Sequence, residues 1–79
     1  MEENTKELSF GEKLVGIEFN PSNSEEVYEI KSKMATLANL LYIKHMEDES
    51  YLKGMLFELA IKGLLEAQMM AVKFVTFKY

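Results

Sequence analysis

The sequence predicts an all-α fold, an antiparallel two-helix hairpin with a short irregular N-terminal segment, assembled as a homo-oligomer. Apolar residues recur every three or four positions along two long stretches, which is the spacing of one helix face. The acidic run Glu47-Asp48-Glu49-Ser50 interrupts that spacing between the two stretches. A connection of only a few residues between two helices favours an antiparallel hairpin, which we expect to form a single domain over residues 1–79.

The N-terminal segment is predicted to lack regular structure. Residues 1–9 are expected to form a flexible arm, because they contain four charges and have little to bury. Residues 10–22 are expected to be an extended or irregular lead-in. Val15, Ile17 and Phe19 alternate with other residues there, and the two glycines of this stretch disfavour a helix.

The first long helix is predicted over about residues 23–46. Pro21 suits a helix start, because the N–H that it lacks would have no partner in the first turn. Four nearby residues can cap the helix, and the sequence does not decide among Asn20, Ser22, Asn23 and Ser24. The apolar stripe of this helix consists of Val27, Ile30, Met34, Leu37 and Leu41.

The second long helix is predicted over about residues 50–77. Its main apolar stripe is expected to pack against that of the first helix. This stripe consists of Leu52, Leu56, Leu59, Gly63, Ala67, Met70, Phe74 and Phe77.

More apolar residues remain than one hairpin can bury. Leaving five large ones in water would forfeit on the order of 10 kcal/mol, which is comparable to the whole stability of a small domain. The sequence therefore predicts a dimer or a higher symmetric assembly. The residues outside the two stripes are Tyr28, Leu40, Tyr42, Ile43, Leu64, Leu65, Met69, Val72 and Val75.

Charge and composition restrict the partners. A net charge of -4 and a pI near 4.9 argue against binding to duplex DNA or RNA, which depends on a basic surface. No apolar run reaches the length of a membrane span, and the first residues do not resemble a secretory signal, so we expect a soluble, cytoplasmic protein without a membrane partner. Cysteine is absent, which excludes disulfides and thiolate metal sites, and we expect neither a metal nor another cofactor.

No residue combination typical of catalysis is found. His45 stands near the end of the first helix, where a cation suits the helix dipole, and no nucleophile accompanies it. Residues 47–49 are three adjacent acids, which usually form a solvated connection rather than a metal site. We therefore expect that the protein is not an enzyme.

The start of the first helix is the most informative stretch. Phe19-Asn20-Pro21-Ser22 places an aromatic residue beside the free N–H groups of a helix N-terminus, which suits a ligand with a base and a phosphate. An ordinary capped helix, with Phe19 packed on its first turn, is the simpler interpretation, and the residues alone favour it.

Three lysines are candidates for the positive charge of a ligand site. Lys31 and Lys33 lie two residues apart, so they point to different sides of the first helix. Lys73 stands among apolar residues near the end of the second helix, where a solvent-facing position is the simplest interpretation. Taken separately, none of the three identifies a function.

Two segments, "VGIEFNPSNSEEVYEIKSKMA" and "EAQMMAVKFVTF", resemble the helical-hairpin domain of phage anti-defence sponges, the family that counters the CBASS and Thoeris immune systems. The resemblance covers about residues 10–77. Its most specific parts are Phe19-Asn20-Pro21-Ser22, Ile30-Lys31 and the run Ala67-Gln68-Met69-Met70-Ala71-Val72-Lys73.

The resemblance implies a small phage protein that forms a dimer or a hexamer in the host bacterial cytoplasm and sequesters cyclic nucleotide messengers without cleaving them. Ligands of the family include cyclic dinucleotides, cyclic trinucleotides and cyclised ADP-ribose isomers. One implied pocket lies between subunits and takes a cyclic dinucleotide or an ADP-ribose isomer, and a second, around a threefold axis, takes a trinucleotide. The residues implied for the first are Phe19, Asn20, Pro21, Ser22 and Lys31, and those for the second are Lys33 and Lys73.

The chain departs from this family in two places. Members often carry Trp where Met70 or Phe77 stands here, and members that take ADP-ribose isomers can add a β-rich domain that 79 residues do not accommodate. The identity of the messenger and the existence of the trinucleotide pocket therefore stay open. Two rival interpretations are a small structural or interaction protein whose amphipathic hairpin docks on a partner, and an enzyme that hydrolyses cyclic nucleotides.

Overall fold

Three α-helices form the described part of the chain. They are α1 (Phe10–Val15), α2 (Glu25–Glu47) and α3 (Tyr51–Thr76) in a computed structural model that describes residues 7–20, 23–48 and 50–78. These residues contain no β-strand, so the predicted all-α class is confirmed, as is the presence of two long helices. Most of the predicted N-terminal arm, residues 1–6, lies outside the described residues.

Both long helices begin after a serine cap. The Ser24 hydroxyl accepts a hydrogen bond from the Val27 N–H at 3.3 Å, and the Ser50 hydroxyl accepts one from the Lys53 N–H at 3.4 Å. Each serine thereby satisfies one of the N–H groups that a helix start leaves without a partner. Ser24 is thus the cap among the four candidates, and each helix begins within two residues of its predicted start.

The connection between α2 and α3 is short and polar. The Ser50 N–H donates to Oδ1 of Asp48 at 3.0 Å, and the Lys53 ammonium lies 3.9 Å from Oδ2 of Asp48. The hydrogen bonds from Ser50, with a smaller contribution from Lys53, hold the pKa of the Asp48 carboxyl below its ordinary value. Asp48 therefore stabilises the fold at neutral pH, and this contribution is lost as the pH falls through the lowered pKa.

The lead-in of residues 10–22 was predicted to be extended or irregular, and this is wrong for residues 10–15, which form α1. A capping box starts the helix: the Ser9 hydroxyl accepts from the Glu12 N–H at 3.2 Å, and the Ser9 N–H donates to the Glu12 carboxylate at 2.9 Å. Gly16 ends the helix in the left-handed region, at φ 65°.

Gly11 lies inside α1 because α1 and α2 are in backbone contact at this position. A Cβ at Gly11 would lie 2.1 Å from the Ala35 carbonyl oxygen. The Gly11 N–H also donates to Oδ1 of Asn39 at 2.6 Å, and Nδ2 of Asn39 donates to the Ser9 hydroxyl at 3.0 Å. The glycine therefore serves a close helix contact, which outweighs its poor helix propensity.

A small core forms where the three helices meet. Two ring contacts extend it towards the α2–α3 connection: Phe10 stacks on Tyr42 with ring centroids 4.5 Å apart, and His45 stacks on Phe57 at 4.2 Å. The buried cluster consists of Val15, Ile17, Ala35, Ala38 and Leu64, with Leu8, Phe10, Leu14, Met34, Leu41 and Ile61 packed around it.

α3 turns a different face to the core than the one predicted. The packed face carries Phe57, Ile61, Leu64 and Gln68, whereas the stripe predicted to pack is exposed. Both faces of α3 are apolar, so the helical period alone could not select between them. We call the exposed stripe the outer stripe, and it consists of Leu52, Leu56, Leu59, Gly63, Ala67, Met70 and Phe74.

The fold leaves much apolar surface exposed. The radius of gyration is 14.5 Å and the principal dimensions are 43 × 42 × 13 Å, whereas a compact domain of this length has a radius of gyration of about 12 Å. Phe74 is 82% exposed, and Leu37, which belongs to the predicted packing stripe of α2, is also exposed. None of the described helices is both long and apolar enough to cross a bilayer.

Candidate functional site

The backbone between α1 and α2 folds onto the start of α2. The Asn20 side chain forms two hydrogen bonds with the backbone of one residue: it accepts from the Ser24 N–H at 3.2 Å and donates to the Ser24 carbonyl at 2.9 Å. The Asn23 N–H donates to the Asn20 carbonyl at 2.9 Å, and Asn23 itself is left-handed at φ 53°. The structure thus gives Asn20 a role in closing the loop. The predicted site residues Pro21 and Ser22 lie outside the described residues.

Lys31 fastens this loop to α2. Its side chain is only 6% exposed, and Nζ donates to the Gly16 carbonyl at 3.1 Å and to the Phe19 carbonyl. Nζ also lies 5.4 Å from the centroid of the Phe19 ring, within the range of a cation–π contact. The structure therefore brings Phe19, Asn20 and Lys31 together, as the predicted site requires.

The positive charge of Lys31 is not matched by a carboxylate. Among the residues that the structure describes, no acidic side chain lies within ion-pair distance of Nζ. Burying an unpaired charge is costly, and an ammonium has three N–H donors, of which the two carbonyls use two. An anion placed beside the loop would be stabilised both by the charge and by the remaining donor.

Phe19 does not pack on the first turn of α2. Its side chain is 71% exposed, which contradicts the interpretation of Phe19 as an apolar staple. Its N–H donates to the Gly16 carbonyl at 2.9 Å, so its backbone is held while its ring faces solvent. An exposed ring on a fixed backbone can stack on a flat ligand group.

A cleft of about 650 Å³ opens beside this loop, within the usual size range of small-molecule sites. Its walls combine apolar, amide and hydroxyl groups, together with two carboxylates. The carboxylates disfavour an anion within the cleft itself, so a phosphate would have to lie towards Lys31 or be met by cations of another molecule. The lining residues are Ile17, Glu18, Asn20, Asn23, Ser24, Glu25 and Tyr28.

Lys33 points away from this loop. It is exposed and forms an ion pair of 3.0 Å with Glu29, one helical turn earlier. The prediction that Lys31 and Lys33 point to different sides of the helix is therefore confirmed, since one is buried and the other faces solvent. An exposed pair at this spacing contributes little to stability, so Lys33 can change partners at little cost.

Lys73 lies at a separate place. It is exposed, as the simplest interpretation predicted, and its Nζ lies 5.6 Å from the centroid of the Phe77 ring. Together with Met70, Phe74 and Phe77 it lines a cleft of about 430 Å³, which shares no residue with the cleft beside Lys31. Within one chain, the structure does not bring Lys73 to the Lys31 loop.

His45 occupies a packing position. Its ring stacks on Phe57, and its Nδ1 is buried with no hydrogen-bond partner among the described residues. His45 also ends α2 through its carbonyl, which accepts from the Asp48 N–H at 3.3 Å. The described residues hold no group of three or more His, Asp or Glu side chains placed to bind a metal ion.

Asn20 is the predicted site residue among those that line the cleft. The other lining residues were not assigned to the site from the sequence, and they are Ile17, Glu18, Asn23, Ser24, Glu25 and Tyr28. Tyr28 lies four residues after the Ser24 cap, and residues at this spacing share a side of a helix, so the spacing could have indicated it. Glu18 had no such signal, because its place depends on the turn that follows α1.

Comparison of the chain with models of protein families, with curated proteins and with solved structures found no match. The resemblance to phage sponges therefore depends on the two segments quoted above.

Proposed function

We propose that this chain is a phage anti-defence sponge, which binds cyclic nucleotide immune messengers in the host cytoplasm and sequesters them without cleavage. The messenger is proposed to be a cyclic dinucleotide, with cyclic trinucleotides and cyclised ADP-ribose isomers as further candidates. The observation that supports this most is the buried Lys31 ammonium, which has no described carboxylate partner and lies beside the exposed Phe19 ring.

The groups around Lys31 match the chemistry of such a messenger. A cyclic dinucleotide combines two phosphates, which need cations and N–H donors, with two bases, which need flat apolar faces. Lys31 supplies a cation for a phosphate, and the Phe19 ring supplies a flat apolar surface for a base. The N-terminus of α2, which begins at Glu25, adds the partial positive charge of a helix start. The Asn20 hydrogen bonds to Ser24 keep these groups in place before a ligand arrives.

The site is proposed to be completed by a second subunit of a homo-oligomer, a dimer or a hexamer of helical hairpins made of α2 and α3. Among the described residues, one chain offers one lysine at the loop, whereas a messenger with two phosphates can use two cations. The cleft walls also carry Glu18 and Glu25, so further cations must come from outside one loop. In a hexamer, Lys33 and Lys73 are proposed to serve a separate trinucleotide pocket.

The main alternative is a small interaction protein. The exposed outer stripe of α3 favours it, since an apolar helix face is a common docking surface. In that case Lys31 would only fasten the loop to α2, and no cyclic nucleotide would change the stability of the protein.

A thermal-shift panel tests the proposal. It comprises cyclic dinucleotides of differing base and linkage, cyclic trinucleotides and cyclised ADP-ribose isomers. A ligand present at 100 times its Kd adds about 2.7 kcal/mol of stability, which corresponds to a rise in Tm of about 10 to 20 °C for a domain of this size. The linear dinucleotide with the same bases is the control.

Two results would contradict the proposed function. If no cyclic nucleotide raises the Tm, the sponge is excluded in favour of the interaction protein. If a bound messenger is recovered as a linear product after the protein is denatured, the protein is a hydrolase, whereas a sponge returns its ligand intact.

A further inference from the structure

The outer stripe of α3 is nearly symmetric about position 65. Gly63 and Ala67 lie two residues on either side of this position, and larger apolar residues follow in both directions at distances that agree to within one residue. A helix face with this property can pack on an antiparallel copy of itself, because each residue then meets its counterpart. The matching pairs are Gly63 with Ala67, Leu59 with Met70, Leu56 with Phe74, and Leu52 with Phe77 just after the helix.

Gly63 has no role within the chain that would require a glycine. A Cβ built at this position meets no atom within 4 Å, in contrast to Gly11. Glycine is nevertheless unfavourable in the middle of a long helix. A second backbone that packs closely against α3 at this point would account for a glycine between Leu59 and Ala67.

The charges beside the outer stripe show the same symmetry. Lys62 and Glu66 are exposed along one edge of the stripe, and neither lies within ion-pair distance of an opposite charge among the described residues. Lys62 and Glu66 are centred on position 64, so an antiparallel copy with its axis between positions 64 and 65 places its Glu66 within one residue of the position opposite Lys62, and its Lys62 within one residue of the position opposite Glu66. In a parallel pair related by a twofold axis, the edge of one helix that carries Lys62 and Glu66 faces the other edge of its partner. These charges would then not meet.

We propose that the outer stripe is the docking surface for a second copy of this chain, with the two α3 helices antiparallel and a twofold axis near position 65. A standard interface buries ~800 Å² of each partner, and the outer stripe presents exposed large apolar side chains along α3 from Leu52 to Phe74. This proposal specifies the subunit interface of the homo-oligomer in the proposed function. Its biological purpose rests on the proposed function, but the interface itself can be tested without a ligand.

Sedimentation equilibrium or light scattering over a range of micromolar concentrations tests the interface. Gly63→Leu should weaken the association about 10-fold or more, because the leucine side chain prevents the two backbones from approaching closely. Leucine also has a high helix propensity, so α3 itself should remain folded. Lys62→Glu should also weaken it, because it opposes two pairs of carboxylates. The charge exchange Lys62→Glu with Glu66→Lys should restore it.

The matched control is Lys13→Glu, which makes the same change of charge at an exposed position of α1 and should leave the association unchanged. Circular dichroism of each variant separates a loss of assembly from a loss of helix. A wild-type protein that stays at 9.1 kDa at all concentrations would overturn the proposal. Association that survives both Gly63→Leu and Lys62→Glu would also overturn it, since the interface would then lie elsewhere.

The same variants distinguish this proposal from the proposed function. If a messenger raises the Tm of the wild type while both Gly63→Leu and Lys62→Glu stay fully associated, the sponge stands and this interface is wrong. If Gly63→Leu dissociates while no messenger binds the wild type, the interface stands and the sponge is wrong.

Discussion

Gly11→Ala is expected to lower the Tm by about 10 °C, an effect of roughly 2 kcal/mol on a domain of this size. The added Cβ would lie 2.1 Å from the Ala35 carbonyl oxygen, which belongs to the backbone of α2 and has little room to move. Overpacking of this kind costs about 1 to 3 kcal/mol, and displacing α1 also breaks the hydrogen bond to Asn39. The gain in helix propensity, at most ~1 kcal/mol, offsets only part of this.

The matched control for Gly11→Ala is Gly54→Ala in α3. A Cβ at Gly54 would lie 3.8 Å from the His45 ring, an ordinary contact. The same substitution there should leave the Tm unchanged or raise it by a few degrees. Thermal melts followed by circular dichroism measure both, and an unchanged Tm for Gly11→Ala would mean that α1 does not pack on α2 as described.

Lys31→Met is expected to weaken binding of a cyclic dinucleotide by about 10- to 100-fold, since a charge-assisted hydrogen bond to a phosphate contributes about 1.5 to 3 kcal/mol. Methionine keeps an unbranched side chain only one heavy atom shorter and removes both the charge and the donors. The effect on the stability of the free protein should be small by comparison, because the lost hydrogen bonds to Gly16 and Phe19 are offset by removal of a buried charge.

Lys33→Met is the control for Lys31→Met, because it makes the same change two residues later on the exposed side of α2. It should leave the affinity for a cyclic dinucleotide unchanged. Isothermal titration calorimetry measures the affinities, and light scattering checks that both variants keep the oligomeric state of the wild type. If Lys31→Met binds the messenger normally, or loses assembly together with binding, Lys31 only fastens the loop and does not contact the ligand.

Much of the helical structure could be predicted from local signals. The ends of α2 and α3 follow from serine caps, the acidic connection and the apolar period, all of which act over a few residues. The capping box of Ser9 and Glu12 was equally local and would have indicated α1. The prediction of an irregular segment was based on the two glycines instead, one of which ends the helix while the other lies in a close contact.

The contacts between the helices could not be predicted from local sequence signals. Asn39 bonds to Gly11, 28 residues away, and no local pattern marks such a pair. α3 has two apolar faces, and only the tertiary contacts show that Ile61 and Leu64 pack inwards.

The candidate site was predicted in part. Phe19 and Lys31 were expected at one ligand pocket, and the structure brings them together. The burial of Lys31 was not foreseen, because it depends on carbonyls 12 and 15 residues earlier.

The Asn20 hydrogen bonds to Ser24 have a kinetic consequence. Because they hold Asn20 at the start of α2 in the free protein, a ligand that contacts Asn20 would not have to immobilise this residue, and the entropic cost of binding would be lower. The association rate constant should then be set largely by diffusion, and the dissociation rate constant will determine the affinity for the ligand. In the proposed sponge, slow release of this kind would keep the free concentration of the messenger low.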